Sequence, residues 1–525
     1  MKKLGLIAMA LMSFWTDTLV VNAQSQKTGR DIELQIGIIQ KFGQERKDHL
    51  IIKSNSKQPL TIRINKDAPL NVSELDITIV QKKLKEPVIE EKVILGDYST
   101  YESAEDNAKK WKARGVVAEI AQPERWEVWA KRSLYSTAQL RRALLKQIQS
   151  AGYGQPILSS QILKSQNLLS IKLGDKIVED NQIEITDKSS LFQVTEKNKK
   201  LTRIYPGSLV LQPNAYNSYT LVNRVSLEVY LRGVVPNEIG ANAPFSALKA
   251  QVILARTYAL RNLRRFQIDN YQLCATVHCQ VYFGLSGTSP EADRAIVATR
   301  RQVLTYHREL VDALYYDMSG GVTANFRDIW NGLDKVYLKS LIDSSKPIWD
   351  LTKYPLNDEK TFRKFIALKT GFNESRRKLF RWNRLSTLAE LTKELKDYLA
   401  RRHLNKLNFE KLLYLRISKR SSSGRIISLV VHTDRGDIEL QKNEIRSAFS
   451  KPWSTLFYLQ PLYYERSQLA GYHFIGGGVG HGVGFSQSGS YHLAQLGWSS
   501  EKILYFYYPK TQILNLDPSI TFWKE

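Results

Sequence analysis

One helical segment constrains what this chain can fold into more than any other. Residues 247–260, ALKAQVILARTYAL, are small or apolar at almost every position. A helix that is apolar around most of its circumference has no broad face to give to water, so it must be enclosed by a core. The chain, at 525 residues with 43% hydrophobic and 10% aromatic content, is long enough to build that core and to hold two or three domains. Two cations, Lys249 and Arg256, lie two helical turns apart on one stripe of this helix. Charges on a mostly buried helix need partners. They are candidates either to orient a catalytic group and grip substrate carbonyl and carboxylate groups, or to pair with structural carboxylates. Arg256, with its planar fork, is the better suited to fixed pairing.

Just before this helix stands YLRGVVPNEI, residues 230–239, where Glu238 closes an apolar run. A carboxyl beside Val234, Val235 and Pro236 is partly desolvated. Desolvation disfavours the charged form and holds the proton on near neutrality, as a general acid requires. The plainer alternative is a glutamate at a helix N-terminus that complements the dipole.

The N-terminus, residues 1–23, reads as an export signal. Lys2 and Lys3 precede the apolar run Leu4–Phe14, and Val21-Asn22-Ala23 supplies small residues for cleavage before Gln24. Asp17 leaves the run short for a membrane span, and an uncleaved anchor is the alternative. Membrane contact is therefore expected only through this signal. The net charge of +25 would suggest nucleic acid inside a cell, but the basic residues are scattered rather than striped. For an exported chain in the periplasm or cell wall, the excess favours loose attraction to envelope polymers, with no nucleic acid partner.

Two cysteines, Cys274 and Cys279, flank His278. Thiolate and imidazole ligands suit structural zinc, with the fourth position left to water or a distant residue. A Cys274–Cys279 disulfide is the rival, favoured by an oxidising compartment. No organic cofactor is expected. The segment GGGVGHGVGFSQSG at 476–489 has seven glycines in fourteen residues, too many for one turn. It implies a backbone packed against another strand or flooring a cleft, with His481 and Gln487 presented from it. Ser319, Gly320 and Gly321 follow the strand-like ALYYDM and form a second candidate substrate contact, or simply a tight turn. The aromatic run at 503–509 is expected to be a core strand. Asp312, Asp317, Asp328 and Asp343 are available as second carboxylates.

The fold class is α+β. Residues 24–200 form a smaller N-terminal α+β region, with a boundary expected near 200 and a second domain over 201–525. Within the first, residues 93–130 read as strand, turn, helix, a break at Gly115, strand and strand, and a further helix over 135–155 completes the unit. The unit at 93–155 resembles a SPOR-type module, which implies binding to glycan strands that lack peptides.

The region from about 205 to 515 resembles the SpoIID/LytB family of cell-wall proteins. The resemblance is carried, in order, by LRGVVPNEI, ALKAQVILARTYAL, the Cys-His-Cys-Gln segment, ALYYDMSGGVT, Trp330 with YLKSLID, SSSGRII and the GHGVGFSQSG…YYPKT ending. It implies a SpoIID-like catalytic domain and a lytic transglycosylase acting on peptidoglycan glycan strands, with Glu238 as the acid. It also implies 1,6-anhydro-muramoyl ends, a preference for strands stripped of peptides by a cell-wall amidase, and zinc at the cysteines in some members. The LytB side of the family implies the alternative, a non-catalytic wall-binding protein that stimulates an amidase.

Overall fold

The computed structural model describes residues 31–523, apart from 57, 65–67, 403–407 and 465–467. The export signal expected at 1–23 lies outside the described residues.

The chain begins with strands β1 (Glu33–Phe42), β2 (Leu50–Ser54), β3 (Leu60–Ile64) and β4 (Leu70–Val72), then the long β5 (Glu74–Tyr98). Helix α1 (Tyr101–Ala113), strands β6 (Ala118–Ala121) and β7 (Trp126–Ala130), helix α2 (Ala138–Ser150) and strand β8 (Ile157–Leu173) follow. Next come β9 (Lys176–Asp180), β10 (Ile183–Thr186), β11 (Leu191–Glu196), β12 (Leu201–Pro206), β13 (Ser208–Pro213) and β14 (Tyr219–Ser226). Alternation places these strands: in β3, Leu60, Ile62 and Ile64 are buried while Thr61 and Arg63 turn outward.

Pairing then crosses the expected boundary. One sheet runs β15-β1-β14-β13-β10-β3-β4, where β15 is Leu273–Cys274, and the other runs β12-β11-β2-β5-β7-β6 with β8 also on β5. Strand β1 is antiparallel to β14 from Glu33↔Ser226 onward, and β2 pairs with β11. The division near residue 200 is therefore not a boundary of the fold. The inner faces share one continuous core, which extends from Ile32 to Phe522. Composition changes near 200, but hydrogen-bonded partners far apart in sequence leave no local trace.

The unit expected at 93–155 does form. The end of β5, then α1, β6, β7, α2 and the start of β8 make a split βαββαβ motif with antiparallel order β8-β5-β7-β6. Gly115, at φ 85°, ends α1 as expected. Trp126 and Val128 face the main core, while Trp129 on the opposite face packs with Ile94, Ala121 and Tyr216.

Helices α3 (Leu227–Ile239) and α4 (Phe245–Arg261) follow β14. Every residue of α4 from Ala247 to Arg261 is buried except Lys249. Its neighbours are α3 and the helices Pro290–Ala298, Gln487–Gln495 and Ser500–Tyr507. The last of these corrects an expectation, because Ile503, Leu504, Tyr507 and Tyr508 recur at helical spacing and are buried, so the aromatic run is mostly helix rather than strand. Between them, most of residues 341–477 form two three-stranded sheets and helices around their own cores. The chain then returns, and Phe485–Ser486 pairs in parallel with Tyr315–Tyr316.

Candidate functional site

Glu238 lies in the last turn of α3, not at a helix N-terminus. The negative end of the helix dipole disfavours a carboxylate there. Its Oε1 accepts the Val281 backbone N–H at 2.6 Å, and Tyr315 and Gln487 side chains also hydrogen-bond to the carboxyl. Burial outweighs these bonds and pushes its pKa up to about 7, with no cation among the causes. Tyr315 keeps its proton, because burial and the nearby Glu238 push its own pKa far upward. Gln280 holds that hydroxyl in place at 3.1 Å and in turn accepts from Tyr230. The result is a carboxyl balanced between its two states near neutrality, with donors ready to stabilise the charged one.

Glu238 opens on a cavity of about 510 Å³. Three parts of the chain wall it: Ser99–Glu102 and Trp126 of the βαββαβ motif, Tyr258, Arg265 and Val277–Cys279 of the α4 region, and Asn443 and Arg446 of the later segment. Trp330, His481 and Gln487 complete it. Arg265 is tied to Glu102 and donates to the His278 carbonyl, which locks the first wall to the second. Glu444 accepts from Ser99 N–H at 2.9 Å and from Arg125, which locks the first to the third.

The sequence candidates divide sharply. Glu238, His481 and Gln487 meet in this cavity. His481 accepts the Val483 N–H on Nδ1 and donates from Nε2 to the Tyr315 carbonyl, while Trp330 lies 4.9 Å away. Burial, with the cations Arg446 and Arg425 nearby, pushes its pKa down to about 3, so the ring is neutral and holds the cavity wall. Arg256 is not catalytic. It is fully buried, forks onto Glu228 at 2.8 and 2.7 Å, and donates to the carbonyls of Thr299 and Gln302. Lys249 does not line the cavity either; it projects from the uncovered side of α4, 5.8 Å from the Phe245 ring.

Ser319, Gly320 and Gly321 are not substrate contacts, because all three are buried away from the cavity. Ser319 donates to Asp343 and Glu374, and Gly320 N–H donates to Glu374 at 2.9 Å. The glycines serve a close crossing: a Cβ on Gly320 would meet the Gly478 nitrogen at 2.8 Å, and one on Gly478 the Gly320 nitrogen at 2.6 Å. The glycine-rich segment is thus packed backbone to backbone, as its composition implied, with Met318 bridged to Val479. Of the candidate second carboxylates, only Asp317 reaches the cavity; it is exposed and accepts from Ser488 at 2.8 Å.

The cysteine segment corrects the zinc expectation. Cys274 and Cys279 are joined in a disulfide, so neither sulfur is a thiolate ligand, and Cys274, His278 and Cys279 do not fit a zinc site. No group of three or more His, Cys, Asp or Glu among the described residues is arranged to hold a metal. The disulfide closes the loop that leads into Val281, whose N–H meets Glu238.

Tyr315, Gln280, Arg265, Glu102 and Arg446 were not singled out from the sequence. Gln280 adjoins Cys279, and Tyr315 lies in the ALYYDM segment, so both were within reach. The contribution of residues 99–126 was not, because it depends on a distant motif folding over the cavity.

Comparison with known proteins places two family matches on the chain. Residues 215–306, which hold α3 and α4, match the family described as Stage II sporulation protein, or SpoIID. Residues 324–484 match a domain of unknown function, DUF8618. Over residues 215–306 the chain is similar to the SpoIID family. An amidase enhancer of Bacillus subtilis is 28% identical over 292 residues, 54% of this chain and 40% of its own length. The chain thus spans less than half of that relative. A stage II sporulation protein D of the same organism is 23% identical over 376 residues, 69% of this chain and 94% of its own. An uncharacterized protein of Brachyspira hyodysenteriae is 24% identical over 372 residues, 69% of this chain and 86% of its own. No helix among the described residues is long and apolar enough to cross a membrane.

Proposed function

We propose that this chain is an exported lytic transglycosylase of peptidoglycan, with Glu238 as its single acid and base. The observation that carries the reading is a carboxyl of pKa about 7 facing a cavity, hydrogen-bonded to Val281, Tyr315 and Gln487 and in no salt bridge among the described residues. Cleavage of the muramic acid C1–O4 bond requires a proton on the leaving oxygen. Glu238 gives that proton, and the C6 hydroxyl of the same muramic acid attacks C1. The hydroxyl proton returns to the Glu238 carboxylate, and the product is a 1,6-anhydro ring with no water consumed. Between the two transfers the carboxylate is stabilised by its three donors. A hydrolase would need a second carboxylate and a positioned water. Two other carboxylates line the cavity: Glu102 is tied to Arg265, and Asp317 accepts from Ser488.

A second reading is favoured by the similarity to an amidase enhancer: a glycan-binding protein that stimulates a cell-wall amidase. On either reading the partners are glycan strands, with an amidase upstream or alongside, and the βαββαβ motif contributes to glycan binding. Digestion of peptide-stripped strands by wild type and Glu238→Gln, with the ends identified by mass spectrometry, separates them. Anhydro ends from wild type alone support cleavage. Reducing ends would mean hydrolysis, and intact strands with both proteins would favour the enhancer.

A further inference from the structure

The cations around the Glu238 cavity are almost all committed. Arg265 is paired with Glu102, and Arg125 beneath the Ser99 wall is paired with Asp97 and Glu444. Arg425, behind His481, is fully buried and donates to the carbonyls of Ser319 and Val322, so it belongs to the fold. Although Arg425 also leaves Nε and Nη1 unpartnered, it does not line the cavity; Arg446 lacks a carboxylate partner among the described residues and does. It lines the cavity on the short helix Glu444–Ala448, and the one hydrogen bond of its guanidinium among the described residues runs from Nη1 to the Asn443 side-chain oxygen at 3.2 Å. Its Nε is buried with no partner, and no carboxylate among the described residues pairs with it. Glu444, two residues earlier on that helix, is clamped by Arg125 and Tyr398, so the helix that carries Arg446 is held against the cavity.

A desolvated guanidinium without a counterion is costly to the fold, and a ligand anion that completes its fork offsets that cost on binding. The chemistry of the substrate supplies one such anion. With a stem peptide attached, the lactyl carbonyl of muramic acid is a neutral amide. Once the peptide is removed it is a carboxylate, the group that a planar guanidinium binds with two parallel hydrogen bonds. We propose that Arg446 is the residue that reads this free lactyl carboxylate and so selects stripped strands over peptide-bearing ones. The proposal rests on the cavity being a glycan site, as inferred above, but not on cleavage taking place there. It also gives the segment that matches the domain of unknown function a role: it carries the substrate-reading cation, while the SpoIID match carries the acid.

The test uses the full chain bearing Glu238→Gln, so that strands are bound and not consumed. Two probes are compared: glycan strands with free lactyl carboxylates, and the same strands with those carboxylates converted to methylamides. Arg446 intact should bind the first at least about tenfold more tightly. Arg446→Gln should abolish the preference by weakening only the carboxylate strands, and Arg446→Lys should retain part of it, since it keeps the charge without the fork. With Glu238 intact, Arg446→Gln should raise KM for stripped strands and leave kcat within about twofold. A preference that survives Arg446→Gln, or equal weakening of both probes in a variant with an unchanged melting curve, overturns the proposal. Should Arg446→Gln fail to fold, Arg446→Lys decides alone: undiminished preference overturns it and reduced preference supports it. Intact strands with an Arg446-dependent preference would sink the cleavage reading only. Anhydro ends without such a preference would sink this one only.

Discussion

Two carboxyls in this molecule are held near the protonated state by burial, and they do different things. Glu238 is desolvated at the end of α3, yet one side of it opens on the cavity, and its partners are three hydrogen-bond donors. Glu374 is fully buried; it accepts from Ser319 N–H and Oγ, Gly320 N–H and Ser486, and sits against Asp343. Burial, reinforced by the Asp343 charge, holds its pKa well above the ordinary glutamate value. The shift in acidity is common to both, so it does not identify the site. Access does: one carboxyl can exchange its proton with a ligand, and the other can only brace the crossing of Gly320 and Gly478.

That contrast can be broken most directly by substitution. Glu238→Gln should reduce glycan cleavage by about a thousandfold or more while the protein stays folded. Glu374→Gln should leave cleavage per folded molecule unchanged and lower the melting temperature instead. Loss of cleavage in both, with equal folded fractions by circular dichroism, would remove the distinction.

The same division should appear on α4. Arg256→Ala leaves Glu228 and two carbonyls unpartnered and should cost about 3 kcal/mol in urea unfolding. Lys249→Ala should change stability by less than about 0.5 kcal/mol and leave cleavage untouched. A loss of kcat in either, at full folding, would return that residue to the site.

The pH dependence sharpens the comparison further. The folded pKa of Glu238, about 7, lies above its unfolded value, so the native state binds the extra proton in between. Its contribution to stability is therefore lost as pH rises from the unfolded value through about 7, on the order of 3 kcal/mol in total. Glu238→Gln should flatten that part of the stability–pH curve and be the more stable protein above pH 7, while the Glu374 part remains. Cleavage by wild type should fall as pH rises through about 7, because the acid is then ionised.

A further effect is expected at the disulfide. Reduction of Cys274–Cys279 should cost about 2 kcal/mol. It should also raise KM, because the loop it closes leads to Val281. Two free thiols titrated in the unreduced, unfolded protein would show that the bond is absent.

Much of the site was legible one residue at a time. The apolar setting of Glu238 indicated a raised pKa, and the glycines at 476–489 indicated a closely packed backbone presenting His481 and Gln487. Arg256, Ser319, Gly320 and Gly321 were legible only as residue types suited to a site. Their burial depends on Glu228 and Glu374, which no spacing rule connects to them. The βαββαβ motif could be read from its local elements, but its place over the cavity could not.

The sequence by itself determined most of the elements and the raised pKa of Glu238: periodicity and turn residues act within a few positions, and so does the desolvation of Glu238 by its neighbours Val234 to Pro236. Tertiary structure alone decided which charges are free. Arg256 and Arg446 are the same side chain in sequence, and only the fold brings Glu228 to the first and an open cavity to the second. The worth of a buried charge is set by what packs against it, and that partner lies far along the chain.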